Sequence, residues 1–495
     1  MSSHTTPARG STVTRALAQD RVGIPSVLAF ILASIAPMTV CAGVITTAYA
    51  VTGLTGIPFA FIAVAVVLAL FCPGYMAMSR RIRNAGAFYA FVTAGLGRVP
   101  GVAAALMALV GYESFQVASY GALGVTAQGE AATYLHVSWP WWSWALIFWA
   151  IVTVLGLARV EITGRVLAVL TAAEIIVVLI ETASGLARPA GGHLDYGALS
   201  PATWTSAGAA GVLAVIALTG YVGFEQSTVL AEEARQPRRT ITVSTYTAVA
   251  AIAVLYASAA WAMVVHAGRS HVGAAAASQG PGLLYSLSSS SALASTAQLM
   301  FMTSLFAAAL SYHNVTWRYL FSLSREGVLP SVLSRTGRNS IPRAASVTQS
   351  ASGLIVILVF AVMGWPAMSG LFFGGGATGG LGVMILLAIT SAGVIRYFGR
   401  DPGTEGTWAR MTAPALSFLL LTGAVVLAIT HYGTLLGTAP GNPAAWLLPS
   451  AYGVAAIAGL TWGIVLKQRR PEVYATIGLG HHAATQPAAA QGAWS

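Results

Sequence analysis

Residues 218–241 read LTGYVGFEQSTVLAEEARQPRRTI, an apolar stretch that leads into a run of charged residues. An apolar segment that begins near Gly208 reaches Gly220, Gly223 and Glu225 at the depth of a membrane's middle. Hydrocarbon has no water to satisfy backbone groups freed by a break in a helix, and a central acidic residue costs roughly 2.5–3.5 kcal/mol there. We therefore expect the helix to unwind from Gly220 to Phe224 and to line a ligand cavity.

The composition around this stretch is that of a membrane protein. Of the 495 residues, 56% are hydrophobic and only 8% are charged, whereas soluble domains carry about 25% charge. Apolar windows of about twenty residues can each cross a bilayer as a helix. The sequence thus predicts an all-α polytopic membrane protein with about twelve transmembrane helices. The windows lie near 27–49, 57–78, 101–127, 139–157, 162–187, 207–230, 241–265, 293–317, 344–364, 370–397, 412–433 and 445–466.

Basic residues predict the orientation of these twelve spans. If the N-terminus is cytoplasmic, all of the 25 Lys and Arg residues except Arg188 and Arg269 fall on the cytoplasmic side. This bias is the positive-inside pattern of a multi-pass plasma (inner) membrane protein with both termini in the cytoplasm. The net charge of +11 then faces anionic membrane lipid, and no nucleic-acid partner is expected.

The chain is expected to form one transporter domain between two tails. Residues 1–22 and 471–495 are polar or rich in Ala and Gln, and we expect both cytoplasmic tails to be disordered. Residues 23–470 form the single transmembrane domain. Cys41 and Cys72 lie in apolar spans and have no metal-ligand spacing, so no metal, cofactor or catalytic residue is expected.

A second break is expected in the first span, where residues 34–43 read SIAPMTVCAG. Proline removes a backbone donor and clashes with the preceding turn, so the helix should break between Ala36 and Gly43. This break and the one in the sixth span are five spans apart. They predict a five-plus-five inverted repeat of the leucine-transporter type, with substrate held between discontinuous helices. The repeats would cover about 24–190 and 205–400, and two extra helices about 410–467.

Three cytoplasmic motifs carry a family resemblance. Residues 83–89 read RNAGAFY, 232–241 read EEARQPRRTI, and RY at 318–319 precedes REGVLP at 325–330. They resemble the Pro-x-Ala-Gly-Gly-x-Tyr, Glu-Glu-x-Lys-Asn-Pro-x-Arg-x-Ile and Arg-Tyr…Arg-Glu-Gly-x-Leu-Pro patterns of the amino acid–polyamine–organocation superfamily of permeases. The first motif departs from the pattern at Arg83 and Ala87.

The resemblance implies a substrate site at the two breaks. Amides of the first break would hold a substrate carboxylate, and carbonyls of the sixth span a substrate amine, as exposed helix ends favour. The first span has Thr-Val-Cys-Ala-Gly at 39–43 instead of the small Gly-x-Gly core of amino acid carriers, which leaves room for an amine without a carboxylate. The residues so implied are Ala36, Pro37, Thr39, Gly43, Tyr221, Gly223, Phe224 and Glu225.

Carboxylates deep in the spans suggest how transport is driven. Glu113, Glu174, Glu181 and Glu225 lie in spans, and no Lys or Arg lies at comparable depth. Such groups must be protonated, paired with a cationic ligand or exposed to water. Glu225, Glu174 and Glu113 are the candidate proton carriers.

These observations predict a secondary active transporter that imports an amino acid, polyamine or related organic amine, coupled to protons, by alternating access. An exchanger is an alternative, as is a sodium-coupled symporter that uses the hydroxyls of Thr303 and Ser304. A polytopic membrane enzyme is a remote alternative, because no aspartate lies in a span and no His-Glu-x-x-His motif is present. A channel would require a continuous charged pore, which the sequence does not indicate.

Overall fold

Helices form all of the long regular structure in the computed structural model. The structure describes residues 23–82, 86, 88–157, 160–230, 234, 236–336 and 342–480. The expected N-terminal tail at 1–22, residues 481–495, and parts of the first two cytoplasmic motifs (83–85, 87, 232, 233 and 235) lie outside the described residues.

The helices follow the apolar windows along the chain. The first nine are α1 (Ile24–Ile35), α2 (Thr46–Thr52), α3 (Ile57–Arg81), α4 (Phe88–Leu96), α5 (Arg98–Glu130), α6 (Trp141–Gly156), α7 (Val160–Leu186), α8 (Ala207–Tyr221) and α9 (Pro237–Ala267). The other nine are α10 (Val272–Gln279), α11 (Gly282–Tyr285), α12 (Ser291–Arg325), α13 (Arg343–Met363), α14 (Gly375–Arg400), α15 (Ala413–Thr430), α16 (Tyr432–Leu435), α17 (Ala444–Arg469) and α18 (Pro471–Thr476).

Several helices are extended or joined by tighter or wider turns. π-helical turns at Thr39–Ile45, Ala131–Leu135, Ala367–Gly374 and Trp408–Thr412 extend α2, α5, α14 and α15. Short 3-10 helices lie at Gly197–Leu199, Pro201–Thr203, Phe224–Leu230 and Ser331–Ser334. The segment Phe224–Leu230 matters most for the site, because it continues the sixth span after its break.

The lengths and apolar compositions of the helices are those of a protein that crosses the membrane many times. Within the described residues, ten helices are long and apolar enough to span a bilayer. Two shorter apolar helices, Thr39–Thr52 and Trp141–Gly156, occupy the first and fourth expected windows. The first window is divided because its helix is broken. Each of the twelve expected windows therefore contains helix.

The first break lies at Ala36. α1 ends at Ile35, and Ala36 has a φ of +52°, a left-handed conformation that costs a residue with a side chain roughly 1–2 kcal/mol. The Ala36 N–H still donates to the Leu32 carbonyl at 3.1 Å. Pro37 begins the next helical turn, where its missing N–H leaves no donor unpaired. Helix resumes at once, so the break is one residue long.

The second break is shorter than the sequence indicates. α8 continues through Gly220 and ends at Tyr221, after which Val222 is extended and Gly223 has a φ of +119°. That φ favours glycine. Gly220 is instead a packing residue, since a Cβ there would lie 2.8 Å from the Phe61 ring. The unwound stretch is thus Val222 and Gly223 rather than Gly220 to Phe224.

Packing places the two broken helices together inside the bundle. α1 contacts α7, α9, α12 and the 3-10 segment Phe224–Leu230. α8 contacts α3, α14 and α15, while α5 packs on α6, α12, α14 and α17. Segments from the two expected repeats thus interleave around the breaks, as two inverted halves require.

The C-terminal segment differs from the expected disordered tail. α18 follows α17 directly, and residues up to Gly480 pack beneath the end of α12. The carboxylate of Glu326 accepts the N–H groups of Gly478 and Gly480 at 2.7 Å, and also the hydroxyl of Tyr89. Composition alone misses this docking because its partner carboxylate lies about 150 residues earlier in the chain.

Candidate substrate site

The two breaks are in direct contact. The Ser34 hydroxyl in the last turn of α1 donates to the Gln226 side-chain oxygen at 2.7 Å, and also contacts the Ser311 hydroxyl of α12. Gly223 lies against the same turn, since a Cβ on it would be 3.1 Å from the Ile35 nitrogen. Only a residue without a side chain fits there. The two broken helices are therefore directly connected at their breaks.

A cavity opens beside the first break. Its enclosed volume is about 60 Å³, and the space rises to about 640 Å³ when the open mouth is included. It is surrounded by α1, α5, α8, α12, α14 and α16 and by the π-helical turns before α2 and α14. It is lined by Ser34, Ile35, Ala36, Thr39, Val40, Val44, Phe115, Ala118, Ser119, Val215, Ile216, Thr219, Ala308, Tyr312, Phe372, Phe373, Gly376, Ala377 and Leu435.

Of the residues expected to bind substrate, those of the first span lie at the cavity. Ala36 and Thr39 line it. Pro37 and Gly43 are buried beside it, and Gly43 touches the cavity wall, because a Cβ there would lie 2.9 Å from the Phe372 ring. The first break therefore contributes backbone and small side chains to the site.

The substrate-binding residues expected in the sixth span do not reach the cavity. Tyr221, Gly223, Phe224 and Glu225 are buried but do not line the cavity, whose wall on this side comes from Val215, Ile216 and Thr219. The Tyr221 hydroxyl donates to the Phe61 carbonyl at 2.8 Å. The Phe224 ring packs edge-on against Phe71, with centroids 6.2 Å apart.

Glu225 ties the second break to the third span. Its Oε1 accepts the Tyr112 hydroxyl of α5 at 2.9 Å, and its Oε2 accepts the Gly223 N–H at 2.9 Å. Its backbone carbonyl accepts the Tyr75 hydroxyl of α3 at 3.0 Å. Charge-assisted bonds of this kind are roughly twice as strong as neutral ones. The carboxylate thus fixes the shape of the break and its distance from α5.

Glu174 of α7 forms a corresponding hydrogen bond at the first break. Its Oε2 accepts the Met38 N–H at 3.4 Å, and the Ser304 hydroxyl lies within reach of the same carboxylate. The Ser304 Oγ also accepts the Thr39 N–H at 3.1 Å. A negative charge at the start of a helix is favourable because the helix dipole is positive there. Glu174 and Ser304 together cap the second half of the first span.

The other two glutamates lie apart from the cavity. Glu113 accepts hydrogen bonds from Gln349 at 3.1 Å and from Ser352 at 2.9 Å, both on α13. Glu181 accepts the N–H and the hydroxyl of Ser288 at 2.8 and 3.1 Å, in the loop before α12. These contacts join helices to each other away from both breaks.

Thr303 and Ser304, whose hydroxyls would bind sodium in the alternative mechanism, have different hydrogen-bond partners in the structure. The Thr303 hydroxyl donates to the Met300 carbonyl of its own helix at 3.0 Å. Ser304 instead faces the first break, where it accepts the Thr39 N–H. The two hydroxyls therefore do not act on one point.

The family of the chain follows from a comparison with family models. A model described as amino acid permease matches residues 26–466, which is most of the chain and includes both breaks. The chain belongs to the amino acid permease family. The permease is therefore a membrane transporter, and its cavity at two broken helices is the expected place for a small-molecule substrate.

A solved structure shares the fold of this permease. It is a sodium-coupled sialic acid symporter in a substrate-bound, outward-open state, which superposes with a TM-score of 0.50 at 11% sequence identity. The match covers 82% of the permease and 89% of the symporter, so the leucine-transporter-like architecture extends over nearly all of both chains. No match is found among curated proteins.

Four aromatic residues of the permease's cavity were not expected from the sequence. The rings of Phe115 and Tyr312 stack with centroids 5.0 Å apart and an interplanar angle of 12°. Phe372 and Phe373 approach from the turn before α14. Aromatic residues are frequent in membrane helices, so no local signal distinguishes these four. Only the helix arrangement assembles them.

Proposed function

We propose that the protein is a proton-coupled secondary active transporter that imports a small organic amine or amino acid across the plasma membrane by alternating access. The main support for this proposal is the hydrogen bond from the Met38 N–H to the Glu174 carboxylate at the first break. A group that gains or loses a proton is thereby connected to the helix that borders the cavity.

Protonation would change this connection directly. An ionised carboxylate accepts the Met38 N–H and is stabilised by the positive end of the helix dipole. A neutral carboxyl group loses most of that attraction, and the second half of the first span is then free to shift. Glu225 is placed in the same way at the second break, where it accepts Tyr112 and Gly223. Both glutamates therefore connect proton binding to the geometry of a broken helix.

Glu113, the third candidate carrier, is held by Gln349 and Ser352 and contacts neither break. We assign it to the contact between α5 and α13. Proton carriage by Glu113 would require a path from this contact to the cavity.

The experiment is uptake by purified protein in proteoliposomes, measured with and without an imposed pH gradient, acid outside. We expect the gradient to raise the initial rate and a protonophore to remove the increase, with sodium in place of potassium having no effect. Uptake that follows sodium and ignores the pH gradient would contradict proton coupling.

A further inference from the structure

None of the described residues that line the cavity is charged. Their polar side-chain groups are five hydroxyls, on Ser34, Thr39, Ser119, Thr219 and Tyr312. Three phenylalanine rings and eleven small or aliphatic residues form the rest of the described lining. A substrate carboxylate would therefore find no cationic partner among these residues.

The backbone offers a carboxylate no vacant donor at the first break. The N–H of Ala36 donates to Leu32 and that of Val40 to Ala36, both at 3.1 Å. The N–H groups of Met38 and Thr39 donate to Glu174 and Ser304. Pro37 has no N–H. The backbone amides that could bind a substrate anion therefore already donate hydrogen bonds within the protein.

The backbone N–H groups of Gly223 and Gln226 at the second break also donate hydrogen bonds within the protein. The Gly223 N–H donates to Glu225 at 2.9 Å, and the Gln226 N–H donates to the Gly223 carbonyl at 3.1 Å. Neither residue lines the cavity. A carboxylate that entered would lose water and gain only hydroxyl contacts, which do not compensate an ionised group.

The same surroundings favour a cation. α1 ends at the cavity, where Ser34 and Ile35 lie in its last turn, and Thr219 in the last turn of α8 also lines it. The C-terminal end of a helix carries partial negative charge. The stacked rings of Phe115 and Tyr312 can attract an ammonium group through their faces and pack against an apolar body.

We propose that the substrate is a small primary monoamine with an apolar body, aromatic or branched aliphatic, and without a free carboxylate. This inference rests on the proposed transport function and narrows its substrate class. The ammonium group lies at the end of α1, near Thr219 of α8, and the apolar body lies among Phe115, Tyr312 and Phe372.

The test compares amines with the amino acids that differ from them only by the carboxylate. Uptake and competition are measured in proteoliposomes for phenethylamine against phenylalanine, and for isopentylamine against leucine, with phenylalanine methyl ester as a masked carboxylate. Spermidine and glycine report on other substrate classes. We expect the two amines and the ester to be taken up, with apparent affinity on the order of a hundredfold above that of the matched amino acids.

Three results overturn the inference. If phenylalanine or leucine is taken up as well as its amine, the site accepts a carboxylate, while the proposed transport function stands. If only spermidine or glycine is taken up, the apolar-monoamine class is wrong and transport again stands. Failure of the whole panel contradicts the inference and the proposed function together.

A variant pair tests the position of the apolar body. Phe115→Ala removes one ring of the cavity, and Phe148→Ala removes a ring of α6 that packs on Phe306 outside the cavity. We expect Phe115→Ala to raise the KM for phenethylamine about tenfold and that for isopentylamine less, because only the aromatic amine loses a ring–ring contact. We expect Phe148→Ala to change neither KM. Equal KM changes in the two variants contradict the placement.

Discussion

Tyr112 and Glu225 are joined by a hydrogen bond of 2.9 Å between the third span and the break in the sixth. Tyr112 lies closer to the start of α5 at Arg98 than the cavity residues Phe115 and Ser119 do. The bond therefore lies on the predicted cytoplasmic side of the cavity. Opening the cavity to that side requires α5 and the sixth span to separate, and the bond opposes that separation.

Tyr112→Phe removes this bond and leaves the ring. A hydrogen bond to a charged group contributes about 1.5–3 kcal/mol, so the equilibrium should move toward the inward-facing state by about tenfold or more. We expect the apparent affinity for external substrate to fall and that for internal substrate to rise. Counterflow in vesicles of both orientations measures the two affinities. Tyr120→Phe is the control, since its hydroxyl bonds Gln116 of the same helix. Equal effects of both variants would contradict a gating role.

Gly223→Ala should impair both folding and transport. The new Cβ would lie 3.0–3.1 Å from Ile35 and Ser34, on a backbone with φ of +119°. We expect a loss of about 2 kcal/mol or more in stability and almost complete loss of uptake. Gly399→Ala in α14, where a Cβ meets nothing within 4 Å, should be neutral or slightly stabilising. Thermal unfolding in detergent checks the first expectation. A fully active Gly223→Ala protein would mean that the breaks need not touch.

Ala36→Gly should stabilise the protein. Ala36 holds a left-handed φ of +52°, and glycine adopts this conformation without steric penalty. The relief of about 1 kcal/mol is partly offset by the greater freedom of glycine in the unfolded chain. We expect a small rise in Tm, with uptake retained. A clear fall in Tm would show that the strain at Ala36 is smaller than its φ indicates.

Glu326→Ala should release the C-terminal segment. Glu326 is buried and accepts the Gly478 and Gly480 N–H groups, so its removal leaves these donors without their partner. We expect a loss of about 2–4 kcal/mol in stability and faster proteolysis after residue 470. Glu472→Ala, at an exposed position of α18, should stay within about 0.5 kcal/mol of the parent. If proteolysis of the segment does not change, the docking of residues 471–480 does not depend on Glu326.

The sequence predicts the spans and both breaks because these depend on local chemistry. Pro37, Gly223 and Glu225 are conspicuous in apolar segments, and a break needs only its own residues. The contact between Ser34 and Gln226 joins positions 192 residues apart, and one sequence does not reveal such a pairing. The same limit applies to the cavity rings of Phe115 and Phe372. The place of Glu174 beside Met38 likewise depends on how α7 crosses α1.

A comparison of Glu174 with Glu181 tests whether a carboxylate at the first break couples proton binding to transport. Both lie on α7, but Glu174 accepts the Met38 N–H at the break and Glu181 accepts Ser288 in a loop. The measurement is initial uptake in proteoliposomes, with and without a pH gradient, for Glu174→Gln and Glu181→Gln. We predict that Glu174→Gln abolishes the stimulation by the gradient while exchange of substrate continues, and that Glu181→Gln keeps the stimulation. Full stimulation of uptake in Glu174→Gln would show that the Glu174 carboxylate does not couple proton binding to transport.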